Sequence, residues 1–169
     1  MKKIGKLIFL TTFLVLLDQY TKSLATRYLM GTEGIPIIEG IFRLKYLENR
    51  GAAFGMLQNQ LLFFVFMTIL VLAIFGYFYY KIPANRRYIP LEYNTILLLA
   101  GAIGNFIDRI TKNFVVDFLY FELIDFPIFN IADCYVVVAT FIFGILILFY
   151  YKEEEFEFFM PKKKEKMRK

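Results

Sequence analysis

Four long apolar runs, separated by short polar stretches, constrain this chain more than any other feature. The runs cover about residues 7–28, 61–80, 94–110 and 131–151, and 59% of the 169 residues are hydrophobic. Each run reaches or approaches the ~20 residues that carry a helix across ~30 Å of hydrocarbon. We therefore predict an all-α integral membrane protein, with four transmembrane helices in a single membrane domain over residues 1–169.

The positions of the cations predict how the chain lies in the membrane. Thirteen of the 20 lysines and arginines lie before the first run, in the link after the second run, or in the tail at 152–169. Because cations favour the cytoplasmic side, both termini are expected there, with the outer segments 31–60 and 111–130 on the other side. These clusters adjoin apolar runs, so we expect membrane lipids rather than nucleic acid as their partner.

The first run also fits a different interpretation, a cleavable secretory signal. The segment from Lys2 to Leu17 has a basic start and an apolar centre, and Ser23 and Ala25 are small residues at a possible cleavage point. Cleavage would leave three spans with the same charge bias, so the orientation does not exclude it. An intact mass distinguishes the two forms.

The outer segment between the first two spans has the period of a strand. Phe42, Leu44 and Tyr46 alternate with two cations, which gives one apolar face and one polar face. We predict a small β-containing cradle between spans one and two, lying on the outer surface of the membrane.

The residue types that are missing narrow the possible chemistry. The chain has no histidine, one cysteine (Cys134) and one serine (Ser23). Catalysis by a Ser-His or Cys-His pair is therefore excluded, and a zinc site is not expected. We expect no metal and no cofactor, and any hydrolytic chemistry must use carboxylates.

Several polar residues interrupt the apolar runs. Asp18 and Lys22 are four residues apart on one helix face and can form an ion pair. Asn105 shares a face with Asp108 and Arg109 in the third run. Helix contacts and an ion pair would explain much of this pattern, but so many polar groups in one turn also indicate a nearby site.

Two further aspartates lie at the outer edge of the membrane. Asp133 follows Asn130 at the start of the fourth run, where Asn130 can cap the helix and the helix dipole favours a carboxylate. Asp117 lies among apolar residues and has no comparable structural role. Two carboxylates close together in such a setting could share a proton and hydrolyse a peptide bond.

Five motifs occur in order along the chain: DQYTK at 18–22, ENRGAAFG at 48–55, GAIGNFIDR at 101–109, VVDF at 115–118 and FNIAD at 129–133. Together they resemble the motifs of the lipoprotein signal peptidases, or signal peptidase II, a family of bacterial membrane aspartic peptidases. The resemblance extends from the first span to the start of the fourth.

The resemblance implies a specific function and site. The substrates would be prolipoproteins, cut just before a diacylglyceryl-modified cysteine, and the catalytic pair would be Asp117 and Asp133. The enzyme would be a monomer in the bacterial cytoplasmic (inner) membrane, with its active site at the outer face. Cleavage after Ala25 would discard the first motif, which argues against the secretory-signal interpretation. The supporting and substrate-positioning residues would be Asp18, Lys22, Asn49, Gly51, Asn105, Asp108, Arg109 and Asn130.

Two other functions fit parts of the pattern. In a proton-coupled transporter, Asp18, Asp108 and Asp133 would form a relay, but the second run has no acidic residue and the aspartates gather on the outer side. In a purely structural protein every polar group would join helices, and Asp117 does not fit that role.

Overall fold

The computed structural model describes residues 2–51, 60–156 and 158–159. Within these residues there are four α-helices and one antiparallel sheet, with the strands in the order β1-β2-β3. The elements are α1 (Lys2–Leu29), β1 (Ile35–Ile38), β2 (Phe42–Asn49), α2 (Leu61–Lys81), α3 (Ile89–Lys112), β3 (Val115–Tyr120) and α4 (Ile131–Ile145). A π-helical turn over Leu146–Tyr150 extends α4. Most of the predicted basic tail, residues 157 and 160–169, lies outside the described residues.

Three of the described helices are long and apolar enough to cross a membrane: Lys3–Leu29, Leu61–Lys81 and Ile131–Tyr150. They correspond to the first, second and fourth predicted spans. The third helix, α3, has 24 residues but does not meet this criterion by composition. Its polar side chains lower its mean hydropathy, so the third span stays a prediction.

Helix α3 lies at the centre of the bundle and packs against α1, α2 and α4. It begins at Ile89, earlier than the start near Asn94 that the apolar run predicts. The difference arises at Glu92, because a charged residue at this point in the sequence predicts the loop between two helices and not a buried helical turn. Glu92 is in fact buried and forms an ion pair with Lys6 of α1, which allows a carboxylate inside the first turn of α3.

The sheet confirms the predicted strand and extends it. Leu44 and Tyr46 of β2 pack against a buried apolar cluster that includes Leu29 of α1 and Val116 of β3. The predicted strands between the first two spans are joined by a third that the prediction did not include, because β3 follows α3 and pairs with β2. Residues 115–118 are all buried, so the sequence of β3 does not show the alternation of apolar and polar residues by which β2 was predicted.

The two ends of the bundle differ in what they hold. At one end, Lys3 Nζ donates to the carbonyl oxygen of Tyr79 at 2.6 Å, and Arg87 in the α2–α3 link pairs with Glu155 at 2.8 Å. This terminal end therefore contains both the first residues and the last described residues. The sheet and the start of α4 lie at the opposite end.

Close packing of α3 against α4 depends on Gly101. A Cβ atom at this position would lie 2.5 Å from the carbonyl oxygen of Ala132 and 2.7 Å from Cγ2 of Val136. We expect Gly101→Ala to lower the free energy of unfolding by about 1–3 kcal/mol, because the helices must move apart. Thermal denaturation in detergent, followed by circular dichroism, measures the change. Gly144→Ala is the matched control, since a Cβ there has no atom within 4 Å, and an equal loss in that variant would contradict the prediction.

Candidate active site

Asp117 lies in the middle of β3, and only 1% of its surface is exposed. In the β2–β3 ladder it pairs with Leu47, and Asn49 is two residues further along the same face of β2. The Nδ2 atom of Asn49 donates to Oδ2 of Asp117 at 2.8 Å, and Nδ2 of Asn130 donates to Oδ1 at 2.6 Å. Both carboxylate oxygens therefore receive a side-chain amide donor.

Asp133 lies in the first turn of α4, and Asn130 caps that helix as predicted. The backbone N–H of Asp133 donates to Oδ1 of Asn130 at 3.0 Å, and the backbone N–H of Asn130 donates to Oδ2 of Asp133 at 3.1 Å. Together these two bonds form a capping box. The other oxygen of Asp133 accepts from Nδ2 of Asn105 at 2.7 Å.

Asn130 links the two carboxylates. Its side chain donates to Asp117 while its backbone donates to Asp133, so one buried residue holds both groups. Burial, followed by the negative charge of Asp133, raises the pKa of the Asp117 carboxyl to about 7. Near neutral pH this carboxyl can therefore carry a proton, which an ordinary aspartate cannot.

Behind the pair lies a buried group of charges centred on Lys22. Its Nζ atom lies 2.9 Å from Asp18 and 3.1 Å from Asp108, and it donates to Oδ1 of Asn105 at 2.9 Å. The predicted pairing of Asp18 with Lys22 is thus confirmed. Asp18 also reaches α4, where its Oδ1 accepts from the backbone N–H of Ala132 at 3.0 Å.

Asp108 makes its ion pairs with Lys22 and Lys112, and among the described residues it makes none with the adjacent Arg109. Its Oδ2 also accepts from the backbone N–H of Val116 at 3.2 Å, which ties β3 to α3 next to Asp117. The guanidinium of Arg109 lies 4.9 Å from the ring centre of Phe64. Asp108 therefore supports strand β3, while the guanidinium of Arg109 lies over the ring of Phe64.

A cavity of ≈ 500 Å³ opens beside Asp133. Asp133 and Arg109 supply charges to its lining, and Asn49 and Gly51 reach it from the end of β2. The remaining walls are mostly apolar and come from the loop before α4 and from α4 itself. Those residues are Phe126, Pro127, Phe129, Cys134, Val137 and Val138.

The structure brings all ten predicted site residues to one end of the bundle, through direct hydrogen bonds or a shared cavity. Gly51 is connected to the other site residues by its backbone N–H, which donates to Oδ1 of Asn49 at 3.0 Å. The rest of that motif, residues 52–55, lies outside the described residues. Sequence reasoning missed an ion pair outside the site, between the partly exposed Lys112 and Asp108, although their spacing of four residues could have indicated it. It also missed the apolar cavity wall, for which the sequence has no local signal.

Comparisons with known proteins agree on one family. A family model described as "Signal peptidase (SPase) II" matches residues 10–149. A "Lipoprotein signal peptidase" of Caldanaerobacter subterraneus subsp. tengcongensis is 47% identical over 143 residues, which are 84% of this chain and 95% of that protein. One from Streptococcus thermophilus is 42% identical, over 83% of this chain and 89% of its own length.

The fold also matches solved structures. A bacterial membrane enzyme determined by the in meso method at 2.3 Å resolution superposes with a TM-score of 0.78 at 34% identity, covering 89% of this chain and 93% of that one. A second such enzyme, at 1.9 Å resolution, gives a TM-score of 0.76 at 33% identity, covering 88% of this chain and 96% of its own.

Proposed function

We propose that this chain, which belongs to the signal peptidase II family, removes the signal peptides of prolipoproteins and uses Asp117 and Asp133 as its catalytic pair. The observation that carries the proposal is that Asn130 holds both carboxylates, one buried and one at the edge of a cavity. Two such groups, sharing one proton, can act as base and acid on the same peptide bond.

In the proposed reaction the proton at rest is held chiefly on Asp117, the more deeply buried carboxyl. Ionised Asp133 takes a proton from water, and the resulting hydroxide attacks the scissile carbonyl carbon. Asp117 gives its proton to the carbonyl oxygen. When the tetrahedral intermediate breaks down, that hydroxyl returns its proton to Asp117 and Asp133 protonates the leaving amine. Both carboxyls then have their starting protonation states.

The cavity suits a lipid-modified substrate. Its polar side, with Asp133 and Arg109, would receive the peptide, and its apolar side, with Phe126, Phe129 and Val138, would face the hydrocarbon next to the scissile bond. A diacylglyceryl group on the cysteine after that bond could then stay in an apolar setting. This arrangement supports cleavage immediately before the modified cysteine.

The proposal includes a four-span topology, with both termini cytoplasmic and the site at the outer face of the bacterial cytoplasmic membrane. Helix α3 has 24 residues, which at ~1.5 Å per residue exceeds ~30 Å of hydrocarbon. Four of its polar side chains are buried within the protein, so lipid need not solvate them: Glu92, Asn94, Thr95 and Asp108. The distribution of cations supports the orientation. A relay through Asp18 and Asp108 has little support, since both carboxylates hold Lys22.

Incubation of the purified protein with two forms of one prolipoprotein tests the function. We expect cleavage of the diacylglyceryl-modified form just before the modified cysteine, and at most slow cleavage of the unmodified form, because the latter cannot fill the apolar wall. Mass spectrometry of the products locates the cut. Equal cleavage of both forms would contradict the proposed specificity, and cleavage of neither would contradict the proposed function.

A further inference from the structure

Lys22 has no exposed surface, yet it makes three polar contacts. Two are ion pairs, with Asp18 at 2.9 Å and Asp108 at 3.1 Å. The third is a hydrogen bond to a neutral group, Oδ1 of Asn105, at 2.9 Å. Asp108 has a second cation, because Lys112 Nζ lies 2.9 Å from its other oxygen. Charge balance alone therefore does not explain why the ammonium also reaches Asn105.

The bonds that Lys22 and Asn130 donate together determine which way the Asn105 side chain faces. Oδ1 of Asn105 accepts from Lys22 and also from Nδ2 of Asn130 at 3.1 Å. The amide nitrogen is then left to donate to Oδ1 of Asp133, at 2.7 Å. If the amide turned over, its N–H groups would face two donors and its oxygen would face a carboxylate. An ammonium has no acceptor atom, so Lys22 permits only the observed orientation.

We propose that Lys22 is a positioning residue for hydrolysis, which acts through Asn105 to hold the Asp133 carboxylate in the orientation that activates water. The proposal rests on the proposed function of the Asp117 and Asp133 pair. Lys22 is enclosed and does not line the cavity, so it affects the reaction without touching the substrate.

The charge of Lys22 also acts on the buried partner of the pair. It opposes the rise in the pKa of Asp117 that burial and Asp133 cause. Several charged groups face the pair from the elements packed around it. From α1 they are Asp18 and Lys22, from α3 they are Asp108, Arg109 and Lys112, and from α4 there is Asp133. Replacing Lys22 by an uncharged residue removes a fully buried cation that lowers the pKa of Asp117.

The test compares Lys22→Met with Lys112→Met, which removes the other cation on Asp108 but has no contact with Asn105. We expect Lys22→Met to lower kcat by about 100-fold with KM unchanged, as for a displaced catalytic group. In the native enzyme we expect activity to fall at high pH as Asp117, whose pKa is raised to about 7, loses its proton. Without the Lys22 cation that proton is held more tightly, so the falling limb moves to higher pH. Lys112→Met should keep the native kcat and pH profile.

A second background covers the case in which Lys22→Met does not fold. The Asp18→Asn variant keeps a side-chain oxygen that can accept from the backbone N–H of Ala132. Adding Lys22→Met to this variant leaves no unpaired charge, because Asp18 is then neutral and Asp108 keeps its ion pair with Lys112. Relative to Asp18→Asn alone, the double variant should show the same fall in kcat and the same shift of the limb. An unchanged kcat and limb in the folded double variant would overturn the proposal, as would equal effects from Lys112→Met.

Infrared spectroscopy separates this proposal from the proposed function. The band of the protonated Asp117 carboxyl, identified by its loss in Asp117→Asn, can be titrated without any substrate. Its midpoint should rise when Lys22 is replaced and stay constant when Lys112 is replaced. If the protein cleaves no prolipoprotein, the proposed function is refuted, but the titration still tests whether Lys22 is coupled to the carboxylate pair. A midpoint that stays constant in both variants would refute that coupling.

Discussion

Asp117→Asn and Asp133→Asn should each abolish cleavage of a diacylglyceryl-modified prolipoprotein while the protein remains folded. Each variant removes a group that gains or releases a proton in the proposed reaction, so we expect a loss of about 10⁴-fold. Because the two groups act together, the double variant should lose little more than either single one. Product formation followed by gel electrophoresis or mass spectrometry measures the rate.

The controls separate chemistry from folding. Asparagine has nearly the same shape as aspartate, so size-exclusion chromatography and thermal denaturation should show a folded, inserted protein. Asp125→Asn is the matched control, since this aspartate lies in the loop before α4, where it accepts from the Tyr120 hydroxyl at 2.7 Å. It should keep full activity. Normal cleavage by either Asp117→Asn or Asp133→Asn would refute the catalytic pair.

Asn130→Ser should lower kcat/KM by about 10²- to 10³-fold with little change in melting temperature. The serine hydroxyl can still accept from the backbone of Asp133, so the helix keeps its cap. It cannot reproduce the amide donor that lies 2.6 Å from Oδ1 of Asp117. Loss of one such donor from a preorganised site has an effect of this size on other hydrolases.

Asn130→Ala provides the comparison for that experiment. It removes both the cap and the donor, so the melting temperature should fall as well, by the equivalent of about 1 kcal/mol. Steady-state kinetics and thermal denaturation of the two variants separate the two roles of Asn130. If Asn130→Ser cleaves at the native rate, the link between the two carboxylates has no part in catalysis.

The elements that the sequence predicts well are those that depend on local patterns. The apolar runs predict the helices, and the spacing of Asp18 and Lys22 predicts their ion pair. The position of Asn130 before an apolar run predicts the helix cap. In each case the interacting groups lie within four residues of one another, so the geometry of a single helix is enough.

The contacts that assemble the site depend on how the elements approach one another. Asn49 reaches Asp117 because of the register between β2 and β3, and no spacing in the chain predicts that register. Lys22 reaches Asn105 because α1 and α3 come close at Gly104, where a Cβ would lie 2.5 Å from Asp18. The motif resemblance named these residues together, but their contacts could be identified only from the packed structure.

The bond between Asp18 and the backbone of Ala132 joins α1 to α4, the first and fourth of the described helices, and this has a consequence for biosynthesis. When α1 enters the membrane, α3 and α4 have not yet been made, so Asp18 and Lys22 can only neutralise each other. As α3 follows, Lys22 gains Asp108 and Asn105, and α4, which is made after them, brings Asp133 together with its cap Asn130. The proposed catalytic pair of Asp117 and Asp133 is therefore incomplete in the nascent chain until α4 has been made, so the proposed peptidase activity cannot act at the insertion machinery before then.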